Sequence, residues 1–97
     1  MVTYTIKKSA ILSPKGELLM LEQKIKQDHI CIGANIKRIR KSKKMKQVDL
    51  VREVELLGID ITRESLVKIE KGDQHIYASQ LKAFKEILDT TYDELLK

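Results

Sequence analysis

One cysteine, one proline, four glycines and no tryptophan leave this chain poor in residues that cross-link, kink or stack. Cys31 stands alone, so no intramolecular disulfide can form, and a reducing, cytoplasmic compartment is the expected setting. His29 and His75 lie far apart with no ligand spacing around either, so no metal and no other cofactor is expected. No apolar run approaches the ~18 residues that mark a membrane span, and no membrane association is expected. The opening Met1 to Lys8 lacks the basic-then-apolar order of a secretory leader. Ser65 has no adjacent histidine to activate it, and the chain is not expected to be an enzyme. Aromatic side chains are limited to three tyrosines and Phe84. The core must then be mostly aliphatic, which favours packed helices over a sheet built on aromatic pairs, and the expected class is all-α.

What the chain does have is positive charge in one place. Its 97 residues, 42% apolar, suit one domain with one modest core. The formal net charge is +5, yet residues 32–52 alone carry eight Lys or Arg against Asp49, while residues 53–97 carry six bases against ten acids. A solvated lysine-rich helix face would give this pattern. A polyanion-binding surface would give it too, because each phosphate contact releases counterions.

From Ile32 onward the spacing predicts five short helices. Ile32, Ile36 and Ile39 form one apolar stripe, with Lys37, Arg38, Lys41, Lys43 and Lys44 on the wet side. A second helix is expected from Gln47 to Leu57, carrying Leu50, Val51, Val54 and Leu57 on one face and ended by Gly58. Thr62 is placed to cap a third helix, Arg63 to Lys71, which buries Leu66 and Ile69 and stops at Gly72. A fourth is expected over Ser79–Leu88, and Thr91-Tyr92-Asp93-Glu94 reads as a capping box opening a brief fifth. Residues 1–31 form an N-terminal extension. Thr3, Thr5 and Ile6 have strand character, Pro14-Lys15-Gly16 a turn, and Glu17 to about Asp28 an amphipathic helix through Leu18, Leu21 and Ile25.

A short helix, a glycine-containing turn and a second capped helix make the geometry of a helix-turn-helix, whose second helix fits the DNA major groove. Burying Leu66 and Ile69 turns Arg63, Glu64, Val67 and Lys68 outward. Over residues 32–97 the sequence resembles the Cro and phage-repressor type of helix-turn-helix regulator. The carriers are Ile32-Gly33, Ile36, Ile39-Arg40, Met45-Lys46-Gln47, Asp49-Leu50, Gly58, Leu66, Ile69-Glu70-Lys71-Gly72, Leu81 and Tyr92-Asp93-Glu94-Leu95-Leu96.

The resemblance implies a five-helix, lambda-repressor-like DNA-binding domain acting as a transcriptional regulator. Such regulators are more often repressors, and a homodimer on a two-fold operator is the expected arrangement. By the same resemblance Gln47 contacts the DNA backbone and braces the recognition helix. Thr62, Arg63, Glu64, Val67 and Lys68 lie at the groove. Arg40 and Glu70 form a structural pair tying the first helix to the end of the third. There are departures: the stretch from Gln47 to Glu70 is longer than usual, Lys44 stands where a helix-ending Gly is common, Lys46 replaces a Thr or Ser cap, and Val51 replaces an Ala. Lys43, Lys44 and Lys46 are candidates for phosphate contacts at the edge of the site.

Plainer readings stand beside these. Gln47 could be an ordinary surface glutamine, and Arg63 and Lys68 could meet phosphate or solvent rather than bases. Glu64 near phosphates needs a cytosine amine or a neighbouring Arg. Lys41, Lys43 and Lys44 could be a solvated face. His29 and His75 are expected at the surface, and Cys31 as a small buried or half-buried hydrophobe. The extension is either an ordered arm or, through Leu18, Leu19, Leu21 and Ile25, an element for dimerisation or for a protein partner. The alternative function is an antitoxin-like interaction module that uses its helix-turn-helix for autoregulation. A third is a degenerate domain that has kept the fold and lost DNA binding.

Overall fold

The computed structural model describes residues 23–97. In chain order the elements are β1 (Lys24–Ile25), α1 (Ile32–Ser42), α2 (Gln47–Leu56), α3 (Arg63–Lys71), β2 (Ile76–Tyr77), α4 (Ala78–Ile87) and α5 (Tyr92–Leu95). The two strands form a minimal antiparallel ribbon, Lys24 opposite Tyr77 and Ile25 opposite Ile76. The class is therefore mostly helical with a small sheet, where all-α was expected.

Each helix owes its limits to local chemistry. Thr62 Oγ1 accepts the Ser65 N–H at 3.0 Å, and Thr91 Oγ1 accepts the Glu94 N–H at 3.1 Å, satisfying donors that the first turn leaves free. Four helices end alike, on a residue in the left-handed region: Lys44 (φ 57), Gly58 (φ 82), Gly72 (φ 83) and Asp89 (φ 51). In each case the next N–H reaches back five residues: Met45 to Arg40 O at 3.1 Å, Ile59 to Val54 O at 3.4 Å, Asp73 to Lys68 O at 2.9 Å and Thr90 to Lys85 O at 3.1 Å. These are Schellman closures. Gly58 and Gly72 adopt the turn without strain, whereas Lys44 and Asp89 bring a Cβ into it.

The apolar stripes converge on one core. Ile32, Ile36 and Ile39 of α1 meet Leu66 and Ile69 of α3, Leu50 and Val54 of α2, Leu81, Phe84 and Leu88 near α4, Ile76 of β2 and Leu95 of α5. α1 packs on α3 and α5, and α2 on α3 and α4. The α1–α3 contact is close enough to need a missing side chain. A Cβ on Gly33 would stand 1.7 Å from the Ile69 carbonyl oxygen.

Four expectations change. The helix foreseen over Glu17–Asp28 is not there from residue 23 on: Lys24–Ile25 is strand, and Ile25 packs against the core beside Ile76. Pairing with a strand some fifty residues away overrides the local amphipathic spacing. The rest of that segment, with Thr3, Thr5, Ile6 and the Pro14 turn, lies outside the described residues. Second, α2 stops at Leu56, and Leu57 is 51% exposed because the turn through Gly58 swings it off the buried stripe; Ile59 packs there instead. Third, α4 begins at Ala78, one residue early. Fourth, Cys31 is exposed just ahead of α1.

The boundary placed at residue 32 also runs through a tight junction. Gln27 Oε1 accepts the Gly33 N–H at 2.7 Å, while its Nε2 donates to Ile69 O and Gln74 O, both at 3.1 Å. One amide side chain thus joins the start of α1, the end of α3 and the loop before β2. Among the described residues no helix is long and apolar enough to cross a membrane.

Candidate functional site

The end of α1, the start of α2 and the last turn of α3 come together around one buried carboxylate. Glu70, on the last turn of α3, accepts from Arg40 Nε at 2.8 Å and Nη2 at 3.1 Å. This is the two-pronged geometry that guanidinium and carboxylate favour. Their side chains are 8% and 2% exposed. Arg40 Nη1 also donates to Met45 O at 2.8 Å, fixing the turn that leads into α2. Gln47, the first residue of α2, donates its Nε2 to Glu70 Oε1 at 3.0 Å. The pair foreseen between Arg40 and Glu70 is present, and Gln47 belongs to the same network, its amide oxygen without a partner among the described residues.

Above this network lies an open cleft lined by Arg40, Lys46, Gln47, Val48 and Arg63. Glu70 is spent on Arg40, so the charge offered to solvent here comes from Lys46 and Arg63. Lys43, Lys44 and Lys46 are exposed along the α1–α2 turn that enters the cleft. From Arg63 the outward face of α3 continues through exposed Glu64 and Lys68 and half-buried Val67. Thr62 is exposed, but its hydroxyl oxygen is already the cap of α3. The structure thus brings Lys46, Gln47 and Arg63 around one cleft, sets Glu64, Val67 and Lys68 along the adjoining helix face, and gives Thr62 a capping role.

The start of α2 is held by a carboxylate rather than a hydroxyl. Asp49 Oδ2 accepts the Lys46 N–H at 3.1 Å, and Arg52 Nη2 donates to Asp49 Oδ1 at 2.9 Å. The Lys46 hydrogen bond holds the Asp49 carboxyl below its usual value, with Arg52 helping and desolvation opposing. The Lys46 side chain carries no oxygen for a cap, and the first-turn Asp49 and Leu50 N–H groups are accepted by its backbone carbonyl, both at 3.1 Å.

Two participants were not foreseen. Val48 is 48% exposed on the cleft wall. Its signal was legible, since an apolar residue out of step with Leu50 and Val54 must face away from the core. Gln27 is the other, and nothing local marks it. Among the described residues no group of three His, Cys, Asp or Glu is placed to hold a metal ion. His29 and His75 are both exposed. Compared with known proteins, the chain matches no family model, no curated protein and no solved structure.

Proposed function

We propose that this protein binds double-stranded DNA sequence-specifically, as a helix-turn-helix regulator resembling the Cro and phage-repressor type, in which α2 braces and α3 reads. The observation that carries the reading is the cleft where Lys46, Gln47 and Arg63 meet, with the carboxylate beneath it neutralised by Arg40. A basic cleft between two helix N-termini, joined to a solvent-facing helix of the right width, is what a phosphate backbone beside a major groove requires. On this reading Gln47 and Lys43, Lys44 and Lys46 hold the backbone. Arg63 and Lys68 are placed for guanine O6 and N7, Glu64 for a cytosine amine, and Val67 for a thymine methyl. The protein acts as a dimer on a two-fold operator, with half-sites about 34 Å apart, and represses transcription.

The test is binding of the purified protein to DNA from its own upstream region against random DNA of equal length, across several salt concentrations. For a dimer contacting about six phosphates, log K against log salt should fall with a slope near −5. The upstream DNA should bind at least about a thousandfold more tightly than random DNA. A flat salt response, or equal affinity for both DNAs, would remove the reading.

A further inference from the structure

Leu57 and Ile59 at the end of α2 and Ala83 on α4 line an apolar cleft, rimmed by Ser79, Lys82 and Glu86. Ser79, Lys82, Ala83 and Glu86 follow one another at helical spacing along a single face of α4. Next to the cleft, Leu56 is 73% exposed. This strip lies at the far end of α2 from the basic cleft, and the DNA reading makes no use of it.

Where the described chain begins indicates what covers this strip. The Gln23 carbonyl accepts the Ala78 N–H at 3.1 Å, so the polypeptide arrives beside the first residue of α4, next to Ser79. β1 is antiparallel to β2, so tracing the chain back from Ile25 to Gln23 follows the direction in which β2 runs into α4. The residues just before are Leu18-Leu19-Met20-Leu21, the longest uninterrupted apolar run in the sequence, flanked by Glu17 and Glu22. Reach is sufficient. Ser79 to Glu86 spans about 10 Å along a helix axis, and the five residues Leu18–Glu22 extend to about 16 Å. Lys82 on the rim complements the two flanking glutamates. A single run of leucines beginning two residues from the mouth of the cleft has a large advantage in effective concentration over any second molecule.

We propose that Leu18–Leu21 of the same chain occupies the cleft between Leu57, Ile59 and α4. This proposal does not depend on DNA binding. The test uses the full-length chain carrying Cys31→Ser, with a benzophenone maleimide attached at Lys82→Cys or, in a second variant, at Glu86→Cys. After irradiation and trypsin digestion, the adduct should fall on the peptide Gly16–Lys24, which includes Met20, a preferred benzophenone target. In an equal mixture of isotope-labelled and unlabelled protein, the cross-linked partners should carry the same label. Adding Leu18→Glu and Leu21→Glu should lower that adduct about tenfold or more, since both buried leucines are lost. Adducts between differently labelled chains would assign the cleft to a second copy. Adducts on other peptides, or none above those from a probe at exposed Lys37→Cys, would overturn the proposal outright.

Discussion

Replacing Glu70 with alanine leaves the Arg40 guanidinium buried with, among the described residues, the Met45 carbonyl as its remaining partner. The two side chains are 2% and 8% exposed, so water screens neither charge well. Removing half of such a pair costs about 3–5 kcal/mol, because the surviving charge stays desolvated. A domain of this size holds about 5–15 kcal/mol in total. Each kcal/mol lowers Tm by roughly 4–8 °C, so Glu70→Ala should melt at least about 12 °C below the parent. Urea unfolding followed by circular dichroism measures the cost directly. The double variant Arg40→Met with Glu70→Leu separates the pair's attraction from the penalty of orphaning one member. It should recover to within about 1–2 kcal/mol of the parent, the residue being the Met45 carbonyl left without its donor. Gln47 loses its anchor in both variants, so DNA affinity should stay low in the double variant even as stability returns. A cost below about 1 kcal/mol for Glu70→Ala would mean the pair behaves like a surface ion pair, and the reasoning would fail. A double variant as unstable as the single one would refute it equally.

Gly33→Ala gains helix propensity of about 1 kcal/mol, but its Cβ would lie 1.7 Å from the Ile69 oxygen. The forced separation of α1 from α3 should dominate, giving a net loss of about 1–3 kcal/mol in urea unfolding; a stabilised variant would contradict the close approach. Lys44→Gly should act in two directions at once. Relief of the left-handed backbone at φ 57 should stabilise by about 0.5–1 kcal/mol, while loss of one phosphate contact from each protomer of the dimer should make the salt slope shallower by about 1.8. Arg63→Ala should narrow the gap between specific and random DNA, whereas Lys43→Ala should weaken both alike; equal behaviour of the two would undo the division between base and backbone contacts. Asp49 has its carboxyl lowered by the Lys46 N–H, so its contribution to stability is present above the ordinary aspartate value near 4 and is lost as pH falls through its own lower value. The stability difference between parent and Asp49→Ala should therefore be clear near neutrality and shrink as pH falls below the ordinary aspartate value near 4.

The helices were legible wherever their causes are local. The Ile32-Ile36-Ile39 stripe, the Thr62 and Thr91 caps and the stops at Gly58 and Gly72 each act within a few residues, and each is where the spacing puts it. The Arg40–Glu70 pair came from the family resemblance rather than from composition, since nothing local links residues thirty apart. β1 was read as helix because its partner strand lies about fifty residues away, and a two-residue strand has no periodicity to display. Gln27 was invisible for a related reason: its amide serves backbone groups 42 and 47 residues on, and a glutamine looks the same whether it faces water or closes a junction. Lys44 shows the opposite case, a position whose backbone geometry follows from the turn while the residue there gives no hint of it.

The Gln27 junction also decides how the protein can be cut. A truncation starting at Ile32, where the charge and periodicity patterns invite one, would remove β1 and strip partners from the Gly33 N–H and the Ile69 and Gln74 carbonyls together. Substitution is nearly as restrictive. Glutamate at this position could accept from Gly33 but donate nothing, and asparagine is one methylene too short to serve all three groups. Any minimal fragment, fusion partner or redesigned N-terminus must therefore keep the chain from Gln23 onward, so the smallest unit that carries the basic cleft is larger than the helices alone suggest.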